Sequence, residues 1–218
     1  MNRSRRIQGN ILITIGLLLI AAALILTARN LITDRNAGNS SNDIVNQIHR
    51  TVYDGMDLEA YDPTAVGKIP DYILHPDMEL PIGVFNGIEC VGILQMPSID
   101  KEFAVVGELT YDNLNYAPCR YSGSPYMHNL VIAAHNFYSH FTNIRDLQIG
   151  DKVIFIDMVG NVFPYTVEYT EVLQPTDTEK MINSEWDLSL FTCTFDSRSR
   201  YTVRCLSDNT DATVVDIG

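Results

Sequence analysis

Leu188-Ser189-Leu190-Phe191-Thr192-Cys193 and Arg200-Tyr201-Thr202-Val203-Arg204 are the two stretches that decide the fold, and only residues 194–199 separate them. Both read as short β-strands, in which successive side chains point to opposite faces. Leu188, Leu190 and Thr192 share one face of the first strand, and Ser189, Phe191 and Cys193 share the other. On the return strand Tyr201, Val203 and Cys205 form the apolar face, with Arg200, Thr202 and Arg204 opposite. If the leucine and valine faces both point into a closed sheet, Cys193 and Arg200 lie outside it as near neighbours. An apolar strand that delivers a thiol to its end beside arginines builds an activated cysteine nucleophile.

Upstream, from about residue 84, the same grammar repeats. Gly87-Ile88-Glu89-Cys90-Val91-Gly92-Ile93-Leu94-Gln95-Met96 ends at Pro97, Phe103-Ala104-Val105-Val106 is short and apolar, and Leu130-Val131-Ile132-Ala133-Ala134 leads to His135. Runs beginning at Lys152 and Val162 flank Gly160-Asn161, a hairpin signal. Short helices are expected around 139–148 and after Thr176, where Thr176 and Glu179 have capping-box spacing. Seven or eight short strands with few helices indicate a mostly β fold, a closed antiparallel barrel.

The N-terminal end has a different character. From Ile11 to Ala28 there is no charged residue, close to the roughly 20 apolar residues that cross a bilayer. Ala21-Ala22-Ala23 lies in the middle of this run with more apolar residues after it, which favours an uncleaved anchor over a cleaved signal peptide. Arg3, Arg5 and Arg6 precede it and predict a cytoplasmic N-terminus with everything beyond about residue 30 outside, a single-pass protein of the cell membrane. Residues 1–10 are then the cytoplasmic end, 11–30 the anchor and 31–80 an extracellular linker and stem. The barrel spans 81–210, and 211–218 form a tail. Within the stem, 33–43 read as a polar linker. Ile44, Val45, Ile48 and Val52 suit an amphipathic helix over about 42–54 that stops at Gly55, and 57–80 read as irregular.

The length of 218 residues permits one globular domain beside anchor and stem. The formal net charge of −12 includes +3 from the three N-terminal arginines, so the remainder carries −15. This excludes nucleic acid as an expected partner and disfavours an anionic surface. None of the spacings among Cys90, Cys119, Cys193 and Cys205 resembles a zinc site or a Cys-x-x-Cys redox pair. Cys90 and Cys205 read as core residues, and Cys119 as a buried free thiol or a disulfide partner of Cys193. Among the histidines, His49 and His75 read as exposed and inert, His140 as a loop residue beside the site. His135 stands out because it ends a buried-looking strand, as Cys193 does; a structural role and a pairing with Cys193 are both open on these grounds.

Asn129-Leu130-Val131-Ile132-Ala133-Ala134-His135, Leu190-Phe191-Thr192-Cys193 and the strand beginning at Arg200 resemble, in order and spacing, the three signature elements of the sortases, membrane-anchored cysteine transpeptidases of Gram-positive bacteria. Gly92-Ile93-Leu94-Gln95-Met96-Pro97-Ser98-Ile99 and Tyr121-Ser122-Gly123-Ser124 extend the resemblance over roughly residues 85–207, with a class B- or D-like subclass. The resemblance implies Cys193 as nucleophile, His135 as general acid/base and Arg200 as the cation that positions the peptide and stabilises the oxyanion. It also implies Thr192, Ala134 and Asn136 as peptide-binding neighbours, and no cofactor or metal. Arg198 competes with Arg200 for the cation's role. Ala133-Ala134-His135 departs from the frequent Ala-Gly-His. The implied reaction cleaves a Leu-Pro-x-Thr-Gly-like sorting signal of a secreted protein and transfers the new carboxyl terminus to an amine of a peptidoglycan precursor. Alternatives are a pilin polymerase with a lysine acceptor, a cysteine peptidase with water as acceptor, and a catalytically silent peptide-binding module. The pilin reading is disfavoured because the lid motif is present only as Asp62-Pro63-Thr64. Leu80-Pro81-Ile82-Gly83 faintly imitates a sorting peptide.

Overall fold

The computed structural model describes residues 3–54, 70–183 and 185–208, with side chains from residue 10 onward. Among these residues nine strands form one sheet: β1 (Gly83–Phe85), β2 (Ile88–Met96), β3 (Lys101–Val106), β4 (Cys119–Ser122), β5 (Leu130–Ala133), β6 (Lys152–Asp157), β7 (Val162–Leu173), β8 (Leu188–Cys193) and β9 (Arg200–Ser207). Their order is β1-β2-β3-β4-β5-β8-β9-β7-β6, and β6 pairs again with β2, so eight strands close into a barrel with β1 laid alongside. Closure depends on Gly92. A Cβ there would sit 2.3 Å from the Ile156 carbonyl oxygen, so only glycine lets β2 and β6 approach.

The expected closed barrel with few short helices is present, but it is not wholly antiparallel. β5 and β8 run parallel, from Leu130 opposite Leu188 to Ala133 opposite Phe191, and β3 meets β4 in parallel at Val106 and Cys119. Strand alternation is the same in both pairings, so sequence pattern cannot distinguish them. The chain leaves β5, builds β6 and β7 on the other flank, and returns to lay β8 beside β5 in the same direction. The inward faces follow the alternation: Leu188, Leu190, Val203 and Cys205 join Leu130, Ile132, Phe155 and Tyr165 in the barrel core.

Helix α1 (Arg3–Thr51) is continuous. The polar stretch 33–43, expected as a linker, is helical because it contains no proline and docks on the barrel. Asp34 accepts hydrogen bonds from the Ser139 amide and hydroxyl, Ala37 is buried, and Gly38 faces Ser139. The amphipathic pattern at 44–52 holds. Ile44, Val45 and Ile48 are buried against Ile93, Ala104, Val106 and Ile156 in a second apolar cluster. Beyond the helix, the Tyr53 hydroxyl reaches the Ile156 and Asp157 carbonyls at 3.1 and 2.7 Å. His49, expected to be exposed, is half-buried and 3.0 Å from Glu102. Residues 10–33 carry an exposed apolar stretch long enough to cross a membrane. Gly55, the stem over 57–69 and Asp62-Pro63-Thr64 lie outside the described residues. The rest of the stem is partly ordered onto the barrel: in α2 (Asp71–Leu74), Tyr72 stacks on Tyr126 at 4.8 Å, and Leu80 enters the core.

The helix expected around 139–148 is a 3-10 helix, Phe141–Asp146. α3 (Thr178–Ile182) starts later than the Thr176 capping box predicts. Its cap residue is Asp177, whose carboxylate turns back to the Gln174 amide at 3.0 Å. A fully buried arginine holds α3 to the barrel. Arg204 bonds Glu171 through Nε at 2.8 Å, the Ser189 hydroxyl at 2.7 Å, and the Lys180 and Met181 carbonyls. Removing the guanidinium strands the buried Ser189 hydroxyl, while the part-exposed Glu171 keeps some solvent. Arg204→Leu is expected to cost about 3 kcal/mol, measured by urea denaturation of residues 33–218.

Candidate active site

The parallel pairing of β5 and β8 brings the C-terminal ends of both strands to one rim of the barrel. The Ala134 amide donates to the Phe191 carbonyl at 3.2 Å, and the Thr192 hydroxyl donates to the Ala134 carbonyl at 2.8 Å. These bonds place His135 next to the end of β8, where Cys193 sits half-buried. Across the β8–β9 hairpin Cys193 is the register partner of Arg200. All three side chains line one open groove of about 320 Å³.

The groove is apolar at its base. Val131, Leu173 and Met181 pack with Tyr121 and Phe191 on the outer face of the sheet. Gln174, Pro175 and α3 form one wall, and Leu109, Tyr111 and Leu114 the other. Desolvation lowers the pKa of His135 below the ordinary histidine value, so its imidazole is neutral near pH 7 and able to take or give a proton. Tyr111 meets its ring edge-on at 5.7 Å, and Phe137 lies at 4.8 Å. The Arg200 guanidinium bonds only the carbonyl of its neighbour Ser199, at 3.2 Å, among the contacts of the described residues. Arg200 lines the groove, and its guanidinium has further donors beyond this one bond.

The remaining expectations sort by position. Arg198 lies exposed in the turn between the strands and does not line the groove. Ala134 and Thr192 line it, but the Thr192 hydroxyl is spent on the Ala134 carbonyl, so Thr192 acts there as a staple. Asn136 lies outside the lining, its side-chain oxygen accepting from Thr142 and Arg145. A Cys119–Cys193 disulfide is overturned: all four cysteines are free, and Cys119 is fully buried in the second cluster, its thiol pushed up to about 12 by burial. Leu80 is held in the core and cannot occupy the groove as a substrate mimic. His140 is buried beneath the His135 loop instead of lining the groove. It packs against Phe103 and Phe137, and neither ring nitrogen makes a hydrogen bond of proper geometry. His75 is exposed. Among the described residues no group of three or more His, Cys, Asp or Glu stands close enough to hold a metal ion.

Sequence reasoning missed Arg145. From the 3-10 helix it donates to the Cys193 carbonyl at 2.8 Å and to Asn136 Oδ1 at 3.0 Å, tying the end of β8 to the residue after His135. Its guanidinium lies 4.4 Å over the Phe195 ring and 5.3 Å from that of Tyr201. The contact with Cys193 joins residues far apart in the chain, and nothing local in Phe141–Asp146 announces it.

The family model described as "Sortase domain" matches residues 94–208. No curated protein sequence matches the chain. Among solved structures, sortase A from Corynebacterium diphtheriae superposes with a TM-score of 0.53 at 19% identity, covering 82% of this chain and 98% of that one. The Clostridium perfringens sortase D5 transpeptidase gives 0.52 at 18% identity, covering 78% and 96%. Streptococcus pneumoniae sortase C gives 0.51 at 18% identity, covering 69% and 95%. At these identities the likeness is one of fold.

Two outcomes follow from the geometry. Arg145→Met is expected to lower kcat by about 10- to 100-fold with little change in KM, because it loosens the placement of Cys193 against His135 without touching the groove. Steady-state kinetics on a cleavable peptide reads this split. The second concerns His140, whose pKa is lowered to about 4, chiefly by burial and then by His135. The unfolded chain, with an ordinary histidine pKa near 6.5, binds this proton more readily than the folded one. Stability is therefore full above about pH 6.5 and falls by about 3 kcal/mol toward pH 4. His140→Phe should remove that part of the slope in urea titrations across this range.

Proposed function

Because this chain belongs to the sortase family, we propose that it is a transpeptidase whose nucleophile is Cys193, with His135 as general acid/base and Arg200 as oxyanion stabiliser. The observation that supports these roles is the convergence of the three residues, from three strands, on one groove. In this reading neutral His135 takes the Cys193 thiol proton, and the thiolate attacks the carbonyl carbon of the peptide bond after threonine in a Leu-Pro-x-Thr-Gly-like signal. Negative charge develops on the carbonyl oxygen, and the Arg200 guanidinium offsets it. The C–N bond breaks as protonated His135 gives its proton to the leaving amine, and a thioester remains on Cys193. An amine of a cell-wall precursor then attacks the thioester carbonyl and loses a proton to His135. The new amide forms and the sulfur leaves as thiolate.

The apolar base of the groove suits the leucine and proline of such a signal. Helix α1 anchors the enzyme in the cell membrane, and Arg3, Arg5 and Arg6 keep its N-terminus in the cytoplasm with the barrel outside.

The test is mass spectrometry of residues 33–218, a segment that retains the docked half of α1, incubated with sorting-type peptides and oligoglycine, diaminopimelate or lysine amines. A thioester on Cys193 that resolves into an amine-dependent ligation product is expected, and Cys193→Ala should abolish both. Hydrolysis independent of every amine would turn the reading to a peptidase, and no adduct with any peptide would turn it to a binding role.

A further inference from the structure

Given the anchor proposed above, we propose that the active-site rim of the barrel faces the membrane, with the loop Phe137-Tyr138-Ser139 seated in the lipid headgroup layer. Helix α1 serves as a ruler. Its membrane-most bond to the barrel is that of Asp34 to Ser139, and residues 10–33 are free of barrel contacts deep enough to bury them. From Ala28, the last residue of the uncharged run, to Asp34 the helix rises about 9 Å. The exposed Leu31 and Ile32 extend the apolar surface closer still. The headgroup layer on each side of the hydrocarbon is roughly 5–7 Å thick. From Ile32, the last exposed apolar residue of this surface, to Asp34 the rise is about 3 Å, so the loop that follows His135 lies within that layer.

The far end of the helix gives the opposite pole. From Asp34 to Thr51 the rise is about 25 Å, and Tyr53 there meets the Ile156 and Asp157 carbonyls beside the β6–β7 turn. That turn is also remote from the site within the sheet: Leu173, at the other end of β7, is the residue that pairs with Arg200. Helix and sheet agree that the ends of β5 and β8 point toward the membrane and the β6–β7 turn away from it.

The loop's chemistry fits that position. Phe137, Tyr138 and Ser139 carry no charge, Tyr138 is 72% exposed, and the Asp34 carboxylate is engaged by Ser139. Tyrosine is favoured at the membrane–water interface, where its ring and hydroxyl meet apolar and wet surroundings. Arg29 and Arg35 flank the exit of the helix and offset the negative charge of the barrel locally. The groove then opens beside the lipid surface.

The experiment uses the full chain in vesicles of phosphatidylcholine and phosphatidylglycerol brominated near the top of the acyl chains. The single natural tryptophan is replaced by Trp186→Phe, and one tryptophan is introduced by Tyr138→Trp, Val159→Trp or Ile20→Trp. Tyr138→Trp is expected to lose most of its emission to the bromines, and Val159→Trp, in the β6–β7 turn, to keep it. Ile20→Trp reports the anchor by itself. Quenching of Ile20→Trp without quenching of Tyr138→Trp would overturn the inference and leave the anchor standing. Equal quenching of Tyr138→Trp and Val159→Trp would overturn it as well, and an unquenched Ile20→Trp would overturn anchor and inference together.

Discussion

The structure depends on the parallel contact between β5 and β8. Four residue pairs, from Leu130 with Leu188 to Ala133 with Phe191, run both strands in the same direction and end them together. A parallel neighbour cannot be reached by a tight turn, so the chain must spend residues 134–187 on a long excursion. That excursion supplies β6 and β7, which close the barrel, and α3, which walls the groove. The same contact that brings His135 to Cys193 thus obliges the chain to build much of what surrounds them.

Much of this was legible in the sequence because alternation is a local signal. The inward set on β8 and β9, the outward placement of Cys193 and Arg200, and the burial of Cys90 and Cys205 all follow from period-two patterns. The preference for Arg200 over Arg198 agrees with their positions, since one begins a strand and the other lies in a turn. Direction was not legible, because a strand's pattern is the same read up or down its neighbour. The helicity of 33–43 was not legible either, because its polar residues carry no apolar periodicity. Their helicity is imposed by contacts with Ser139, more than a hundred residues away. Arg145 and Arg204 escaped for the same reason: each bonds groups distant in sequence, which no local pattern encodes.

Two arginines do different work on the two sides of the site. Arg145 lies behind Cys193, held between aromatic rings, and joins the Cys193 backbone to the loop after His135. Arg204 lies under the wall, fully buried, and suspends α3 from the sheet through the carbonyls of Lys180 and Met181. One fixes Cys193 against the loop after His135, and the other shapes the groove in front of them. Guanidinium suits both tasks because its planar fork offers several donors in a fixed geometry.

The turn between Cys193 and Arg200 is closed on itself. Thr194 and Ser199 pair through backbone and side chain, Asp196 accepts from Thr194 and the Arg198 amide, and Ser197 takes the left-handed backbone the turn requires. The spacing of thiol and guanidinium is therefore set by this turn together with the β8–β9 register that pairs Cys193 with Arg200. On the proposed roles, the α3 wall and the 109–114 loop can be altered, and with them the peptide that fits, without moving Cys193 or Arg200.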